Sequence, residues 1–284
     1  MEDLKLQYVP TWCLGCGNFG ILNALKKAFS LLDVQPEQLA LVTGIGCSSK
    51  ISQYVNTYRI ETLHGRSLPV ATGVKLANHQ LTVIAEGGDG DGMGLGIGHF
   101  IHTARRNLDI TYIIHNNQIY GLTKGQASPT SDLGAITKFT PPPQGNVEQP
   151  INIVQMALQA GATWVGRSTA ADPQLADYMV QAVKHKGFAV LDILQPCVSF
   201  NHVNTYKWYQ DRVYRLETVP DYDAGDYAKA AAVASQWGEK IPIGVIYRTE
   251  RRIFEDSLPQ LANRPLVEQP LDNISISLLM DELA

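Results

Sequence analysis

The chain has 284 residues, 45% of them hydrophobic and 18% charged, with a formal net charge of −4. That length buries a full core in one large domain, or in one domain plus an extension. The acidic balance and the lack of a basic block leave nucleic-acid binding without electrostatic support, and no run of about 18 apolar residues marks a membrane span. The opening MEDLKLQYVP is acidic and has no apolar signal segment, so a cytoplasmic protein is expected.

In chain order, FGILNALKKAFSLL (19–32) has helical periodicity and LALVTG (39–44) reads as a short buried strand. SSKISQYVNTY is expected to be helical, IETLHG is a strand candidate, and LPVATGVKLANH follows it. LTVIAEG (81–87) is the next strand, then a Gly/Asp-rich loop, a helix through IGHFIHTARRN and the strand ITYIIHN (110–116). VQMALQAG, TWVGRS, PQLADYMVQAVKH and FAVLDIL continue the alternation. Such alternation predicts an α/β fold, a parallel sheet with helices on both faces. Residues 120–150, with a PPP run, show little periodicity, and a loop that long is usually functional or disordered. Residues 1–215 are read as the main domain. Residues 216–284, with a helix in DAGDYAKAAAVASQWG and a strand in IPIGVIYR, are read as a C-terminal extension.

Ligands of open α/β sheets bind at the carboxyl ends of the strands. TGIGCSSK, HGR, GGDGDG, NNQIYGLTKGQ and QPCVSFNH all fall there. GGDGDGMGLG (87–96) directly follows a strand, and two readings are open. It is a tight turn, or a loop whose backbone approaches a phosphate and whose acid holds the accompanying metal. A crossover from this strand brings Asp89 beside Asn117 at one sheet edge. A carboxylate, an amide oxygen and a nearby backbone carbonyl suit Mg²⁺.

Four cysteines, Cys13, Cys16, Cys47 and Cys197, are not expected to form disulfides in a cytosolic chain. Cys13 and Cys16 form a CxxC. Cys47 follows the first strand, and Cys197 follows the last strand of the main alternation. The residues leave open an iron–sulfur cluster, a structural zinc or buried thiols.

GDG followed at this distance by NN resembles the thiamine diphosphate (ThDP) fingerprint. By that resemblance Asp89, the Asn117 side chain and the Ile119 carbonyl hold Mg²⁺, and Asp91, in a second overlapping GDG, is a phosphate-proximal neighbour. More broadly, WCLGCGNFGIL, GIGCSSK, LHGRSLPVATGVKLAN, GGDGDG, GHFIHTARRN, NNQIYGLTKGQASPTS and QPCVSFN together resemble the β subunits of two-subunit 2-oxoacid:ferredoxin oxidoreductases over roughly residues 10–205.

The resemblance implies the pyrophosphate-binding half of a ThDP fold, with Gly46, Cys47, Ser48, His64, Gly88, Asp89, Gly90, Asp91, Asn117, Ile119, Tyr120, Gly121 and Leu122 at the cofactor. It implies one 4Fe–4S cluster on Cys13, Cys16, Cys47 and Cys197. It further implies a reaction of a 2-oxo acid (2-oxoglutarate ahead of pyruvate) with coenzyme A to give acyl-CoA and CO₂, reversible in principle, with two electrons leaving through the cluster to ferredoxin. ThDP activation needs a carboxylate from a second α/β domain. One such domain is visible here, so a larger α subunit is expected to supply the glutamate and part of the coenzyme A and substrate site, in an αβ or (αβ)₂ assembly.

Lys50 reads as a holder of the substrate carboxylate or as a solvated helix-start lysine. Leu122 shapes the substrate pocket by resemblance, or simply packs. His64 lies near ThDP or its phosphates by resemblance, or is structural. His99 and His102 receive no role. The alternatives to the oxidoreductase are a non-redox ThDP lyase or decarboxylase subunit with a structural metal site, and a zinc-stapled binding module.

Overall fold

The structure, a computed structural model, describes residues 8–270, 272 and 275–283. Most of the opening stretch read for targeting (1–7) and parts of the terminal ISISLLMDELA lie outside the described residues. Helix α1 (Asn18–Leu32) leads to β1 (Leu39–Thr43), a 3-10 turn at Ser49–Tyr54, β2 (Tyr58–Glu61) and α2 (Ser67–Ala77). Next come β3 (Thr82–Gly88), a π turn at Asp91–Leu95, α3 (Ile97–Arg106) and β4 (Thr111–Asn116). A hairpin of β5 (Ile119–Tyr120) and β6 (Gln126–Ala127) precedes α4 (Ile153–Ala160), β7 (Trp164–Thr169), α5 (Leu175–Lys184) and β8 (Ala189–Leu194). The chain then forms α6 (Tyr206–Gln210), β9 (Val213–Arg215), α7 (Tyr227–Ala234), β10 (Ile241–Arg248) and α8 (Ser277–Glu282).

Among the described residues the main sheet has eight strands in the order β2-β1-β3-β4-β8-β7-β10-β9. All neighbours are parallel except β10, which runs antiparallel to β7. The sheet therefore runs across residue 215: β10, from the C-terminal extension, pairs with β7 and carries β9 at the edge. The strand candidate IETLHG is displaced. The strand is Tyr58–Glu61, and Leu63–Arg66 closes a turn through a 2.9 Å hydrogen bond that reverses the chain into α2. The helix expected after Cys47 is a short 3-10 turn, the usual form of a segment only a few residues long.

Alternation along each strand sends successive side chains to opposite faces. On β1, Ala40 and Val42 join the core under α2, α3, α4 and α7, while Leu39 and Leu41 join the core under α1 and α5. On β4, Tyr112 and Ile114 face the first core and Ile113 the second. Both faces are buried, which is why these strands read as continuous apolar runs rather than alternating ones.

Helix α1 matters for the site because it starts directly after the CxxC. Its first turns lie against the loops after β7 and β8, and two glycines permit that approach. A Cβ on Gly17 would fall 2.7 Å from Gln195 Cγ, and one on Gly20 would fall 2.1 Å from the carbonyl oxygen of Ala170. The second neighbour is backbone and cannot rotate away. Gly20→Ala is expected to destabilise the fold by about 1–3 kcal/mol through overpacking. Thermal denaturation checks this, and an unchanged melting temperature would show that α1 is free to shift.

Candidate active site

The loops after β1, β2, β3 and β4 meet at their carboxyl ends and enclose one cleft. It is lined by Gly46, Cys47, Ser48, His64, Gly88, Asp89, Gly90, Asp91, Asn117, Ile119, Tyr120, Gly121 and Leu122, with Ile45, His115 and Thr123 beside them. The position follows from topology. The chain leaves β1 toward β2 on one side and returns to β3 on the other, and a crevice opens at such a switch point.

Asp89 forms the floor. Its carboxylate is fully buried and accepts hydrogen bonds from Ser128 Oγ (2.5 Å), Thr130 Oγ1 (2.6 Å) and the Asn117 backbone N–H (3.3 Å). Burial pushes its pKa up, and these three hydrogen bonds, together with one from its own backbone, oppose that rise. Both hydroxyls sit on one oxygen, and the other accepts the longer bond from Asn117. Asn117 Oδ1 accepts from Ile119 N at 3.0 Å. A carboxylate oxygen, an amide oxygen and the adjoining backbone form a hard-oxygen donor set that fits Mg²⁺.

Asp91 lines the same cleft but points elsewhere. Its Oδ1 accepts from Ile45 N (3.0 Å) and Gly65 N (2.8 Å), so it staples the loops after β1 and β2 to the start of the π turn. Gly44 makes room for it, since a Cβ there would lie 1.9 Å from Asp91 Oδ2. Burial raises the pKa of Asp91, and the two backbone donors oppose the rise. His64 Nδ1 stands 3.7 Å from Asp91 Oδ1.

Four buried polar atoms on the cleft residues have no hydrogen-bond partner: Ser48 Oγ, His64 Nδ1, Asp91 Oδ2 and His115 Nε2. Buried polar groups are almost always hydrogen-bonded, so the orphaned Ser48 Oγ and His64 Nδ1 mark a place for a polar ligand, while Asp91 Oδ2 turns toward Gly44. Gly88 leaves open space in front of Ser48 Oγ, where its Cβ would lie at 3.5 Å. These residues fit a pyrophosphate. Under the cleft, His115 Nδ1 is hydrogen-bonded to Asn18 Oδ1 (2.8 Å), and its Nε2 lies 3.3 Å from Glu86 Oε2.

The four thiols are free and gather beside this cleft. A Cβ on Gly121 would lie 3.6 Å from the sulfurs of both Cys47 and Cys197, and 4.0 Å from Asn117 Nδ2. The N-terminal segment folds over the loop after β1: Trp12 Nε1 donates to the Cys47 carbonyl (2.7 Å), and Thr11 N donates to Tyr54 Oη (3.0 Å). Burial pushes the Cys16 thiol up to about 11; a backbone donor from Asn18 opposes the rise, and the other three thiols add to it. Burial likewise raises Cys47, with Cys197 adding to it and Lys50 opposing. Cys16 and Cys197 are buried, Cys47 is half-buried and Cys13 is exposed. Four thiols brought together this way would need cationic metal between them to ionise, and an all-thiol donor set fits an iron–sulfur cluster. Among the described residues no three His, Cys, Asp or Glu side chains converge closely enough to share a single ion.

Residues 44–193 match the family described as thiamine pyrophosphate enzyme, C-terminal TPP binding domain, and residues 197–263 match the family for the C terminal of the pyruvate ferredoxin oxidoreductase beta subunit. The chain is 44% identical to a 2-oxoacid:ferredoxin oxidoreductase subunit beta of Saccharolobus solfataricus, over 93% of this chain and 92% of that one. This chain belongs to the family of 2-oxoacid:ferredoxin oxidoreductase β subunits. A 2-oxoglutarate oxidoreductase subunit KorB of Mycobacterium tuberculosis is 44% identical over 70% of this β subunit and 53% of its own length. The solved 2-oxoglutarate:ferredoxin oxidoreductase from Magnetococcus marinus, with 2-oxoglutarate, coenzyme A and succinyl-CoA bound, superposes with a TM-score of 0.89 at 37% identity. That match covers 100% of this β subunit and 95% of the other chain. The β subunit is therefore part of an oxidoreductase with an α partner, built on the ThDP fold.

The structure brings together every residue that the resemblance placed at the cofactor, and it sets Cys47 and Cys197 against the same wall. Lys50 stands apart: it does not line the cleft, and its Nζ donates to Thr11 Oγ1 (3.3 Å) beside the cysteines. There its charge opposes the cost of a Cys47 thiolate. Leu122 lines the cleft and is exposed at its mouth. Sequence reasoning missed Ser128 and Thr130, which hold Asp89 from the aperiodic loop, and nothing in ASPTS signals it. It also missed His115, although its place directly before NN at a strand end was a readable sign.

Proposed function

We propose that this protein holds ThDP, Mg²⁺ and one 4Fe–4S cluster, and that with its α partner it oxidises a 2-oxo acid, 2-oxoglutarate in preference to pyruvate. The balanced reaction is 2-oxo acid + coenzyme A + two oxidised ferredoxins → acyl-CoA + CO₂ + two reduced ferredoxins + H⁺. The observation that carries this reading is the shared wall at Gly121, where two of the thiols meet the metal-donor amide of Asn117.

When bound, ThDP supplies the carbanion chemistry that releases CO₂, and the cluster accepts the electrons singly. Asp89, Asn117 and the Ile119 carbonyl would hold the metal. Ser48, His64 and the backbone around Gly88 would hold the pyrophosphate, and Cys13, Cys16, Cys47 and Cys197 would hold the cluster. Burial of Asp89 and Asn117 keeps water from competing at the donor set. The proximity of Cys47 and Cys197 to the cleft gives electrons a short exit. The apolar residues exposed around the mouth, Ile45, Leu63, Leu95 and Leu122, offer a seat over it to the α partner, which would bring the activating carboxylate and the remaining coenzyme A contacts. The likeness to a structure holding 2-oxoglutarate and succinyl-CoA supports the choice of substrate.

The test is iron and sulfide analysis with EPR on the anaerobically purified complex, followed by ferredoxin reduction with several 2-oxo acids. About four irons and four sulfides per β subunit, with a reducible signal, are expected for a four-cysteine cluster. Zinc or no metal after reconstitution would overturn the redox reading, and a strong preference for pyruvate would overturn the substrate.

A further inference from the structure

Gln195 lies immediately after β8 and before Pro196 and Cys197, and its side chain is buried. Its Oε1 accepts from Asn117 Nδ2 at 3.1 Å. Its Nε2 donates to Cys16 Sγ at 3.4 Å and to the Pro196 carbonyl at 3.0 Å. Its own backbone N–H is fixed to the Asn116 carbonyl at 2.8 Å, so the side chain hangs from the strand that neighbours the NN pair.

The two amide orientations are not independent. A peptide carbonyl only accepts, so Pro196 obliges Gln195 to turn its NH₂ toward Pro196 and Cys16. Its oxygen then faces Asn117, which must present its own NH₂ in return. That leaves Asn117 Oδ1 on the opposite side, where it accepts from the Ile119 N–H at 3.0 Å, while the backbone N–H of the same residue donates to Asp89 at 3.3 Å. Gln195 on one side and the Ile119 N–H on the other therefore select which atom of Asn117 is available to a metal. The Gln195 side chain also places a donor on a cysteine sulfur.

We propose that Gln195 is a positioning residue that joins the two centres of the proposed function. It orients the Asn117 amide for the ThDP metal and, through its hydrogen bond to Cys16, raises the reduction potential of the cluster. Reduction adds negative charge to an iron–sulfur cluster, so a donor at a ligand sulfur stabilises the reduced form. Ligands held by outer hydrogen bonds lose affinity when those bonds are removed. The proposal rests on the functional reading above.

Two substitutions separate the two arms. Gln195→Glu keeps an acceptor for Asn117 and removes the donor to Cys16. Gln195→Leu removes both at similar volume. Each is prepared anaerobically in complex with the α partner and measured by EPR-monitored redox titration and by calorimetric titration with ThDP and Mg²⁺. Both variants are expected to have a lower midpoint potential; an equilibrium constant for reduction about tenfold smaller corresponds to 59 mV for one electron. Binding of ThDP with Mg²⁺ is expected to weaken about tenfold in Gln195→Leu and to hold in Gln195→Glu. A wild-type potential in both variants, or wild-type ThDP affinity in Gln195→Leu, overturns the proposal. Should Gln195→Leu fail to accumulate, the potential of Gln195→Met, which is neutral and lacks the donor, decides the cysteine arm, because the charge of Gln195→Glu would lower the potential by itself. A wild-type complex with no iron–sulfur signal fails the functional reading itself, so the wild-type spectrum tells the two failures apart.

Discussion

Asp89→Asn is expected to lower the Mg²⁺-dependent affinity for ThDP by at least about 100-fold, since removal of a metal ligand costs at least what outer-shell changes cost. The fold should survive. Ser128 and Thr130 present hydroxyls that either donate or accept, so they can turn to meet an amide in place of the carboxylate. Asp91→Ala should behave in the opposite way. It leaves the Ile45 and Gly65 N–H groups without their acceptor and is expected to cost about 3 kcal/mol, because hydrogen bonds to a charged group are the stronger kind. Melting should fall by roughly 5–10 °C in a chain of this size. Two overlapping GDG motifs share a glycine, and this contrast tests the roles that their hydrogen bonds give them. Calorimetry with ThDP and Mg²⁺, together with thermal denaturation, measures both effects. Loss of ThDP binding from Asp91→Ala at a wild-type melting temperature would exchange the two roles.

Cys47→Ser is expected to remove or degrade the cluster and to lower ferredoxin reduction by at least about 100-fold, again as the loss of a metal ligand. ThDP binding should persist, because Cys47 touches the cleft but supplies no oxygen to the donor set around Asp89. The hydroxyl is smaller than the thiol and introduces no clash, so melting in the presence of ThDP separates a damaged redox centre from a damaged fold. Iron content and the EPR signal report the first change directly. Undiminished turnover in this variant would remove the cysteines from the electron path and favour a non-redox ThDP subunit with a structural metal.

Much of the main sheet was legible because both of its faces are buried, so its strands appear as short continuous apolar runs between helices of clear period. LTVIAEG, ITYIIHN, FAVLDIL and IPIGVIYR each mark a strand to within a residue or so. The boundary at 215 was less legible. Local pattern identified β10 as a strand but carried no information on its partner, and pairing with β7 joins residues far apart in the chain. IETLHG was misplaced because apolar character continues past Glu61, while the turn at Leu63–Arg66 is set by local hydrogen bonding.

The sequence by itself determined the chemistry available at one sheet edge. The glycines, Asp89, the NN pair, Cys47 and Cys197 are individual residues at strand ends, and a parallel sheet sends all such ends to the same side. Only the tertiary structure decided how those groups face one another. It showed that Asp91 turns back onto the loops while Asp89 faces the cleft, that Lys50 belongs to the cysteine side, and that Ser128, Thr130 and Gln195 hold the donors in place. Those assignments depend on hydrogen bonds between side chains from separate loops. The direction of such a bond is fixed by its acceptor or donor partner in space, and periodicity along the chain carries no trace of that partner.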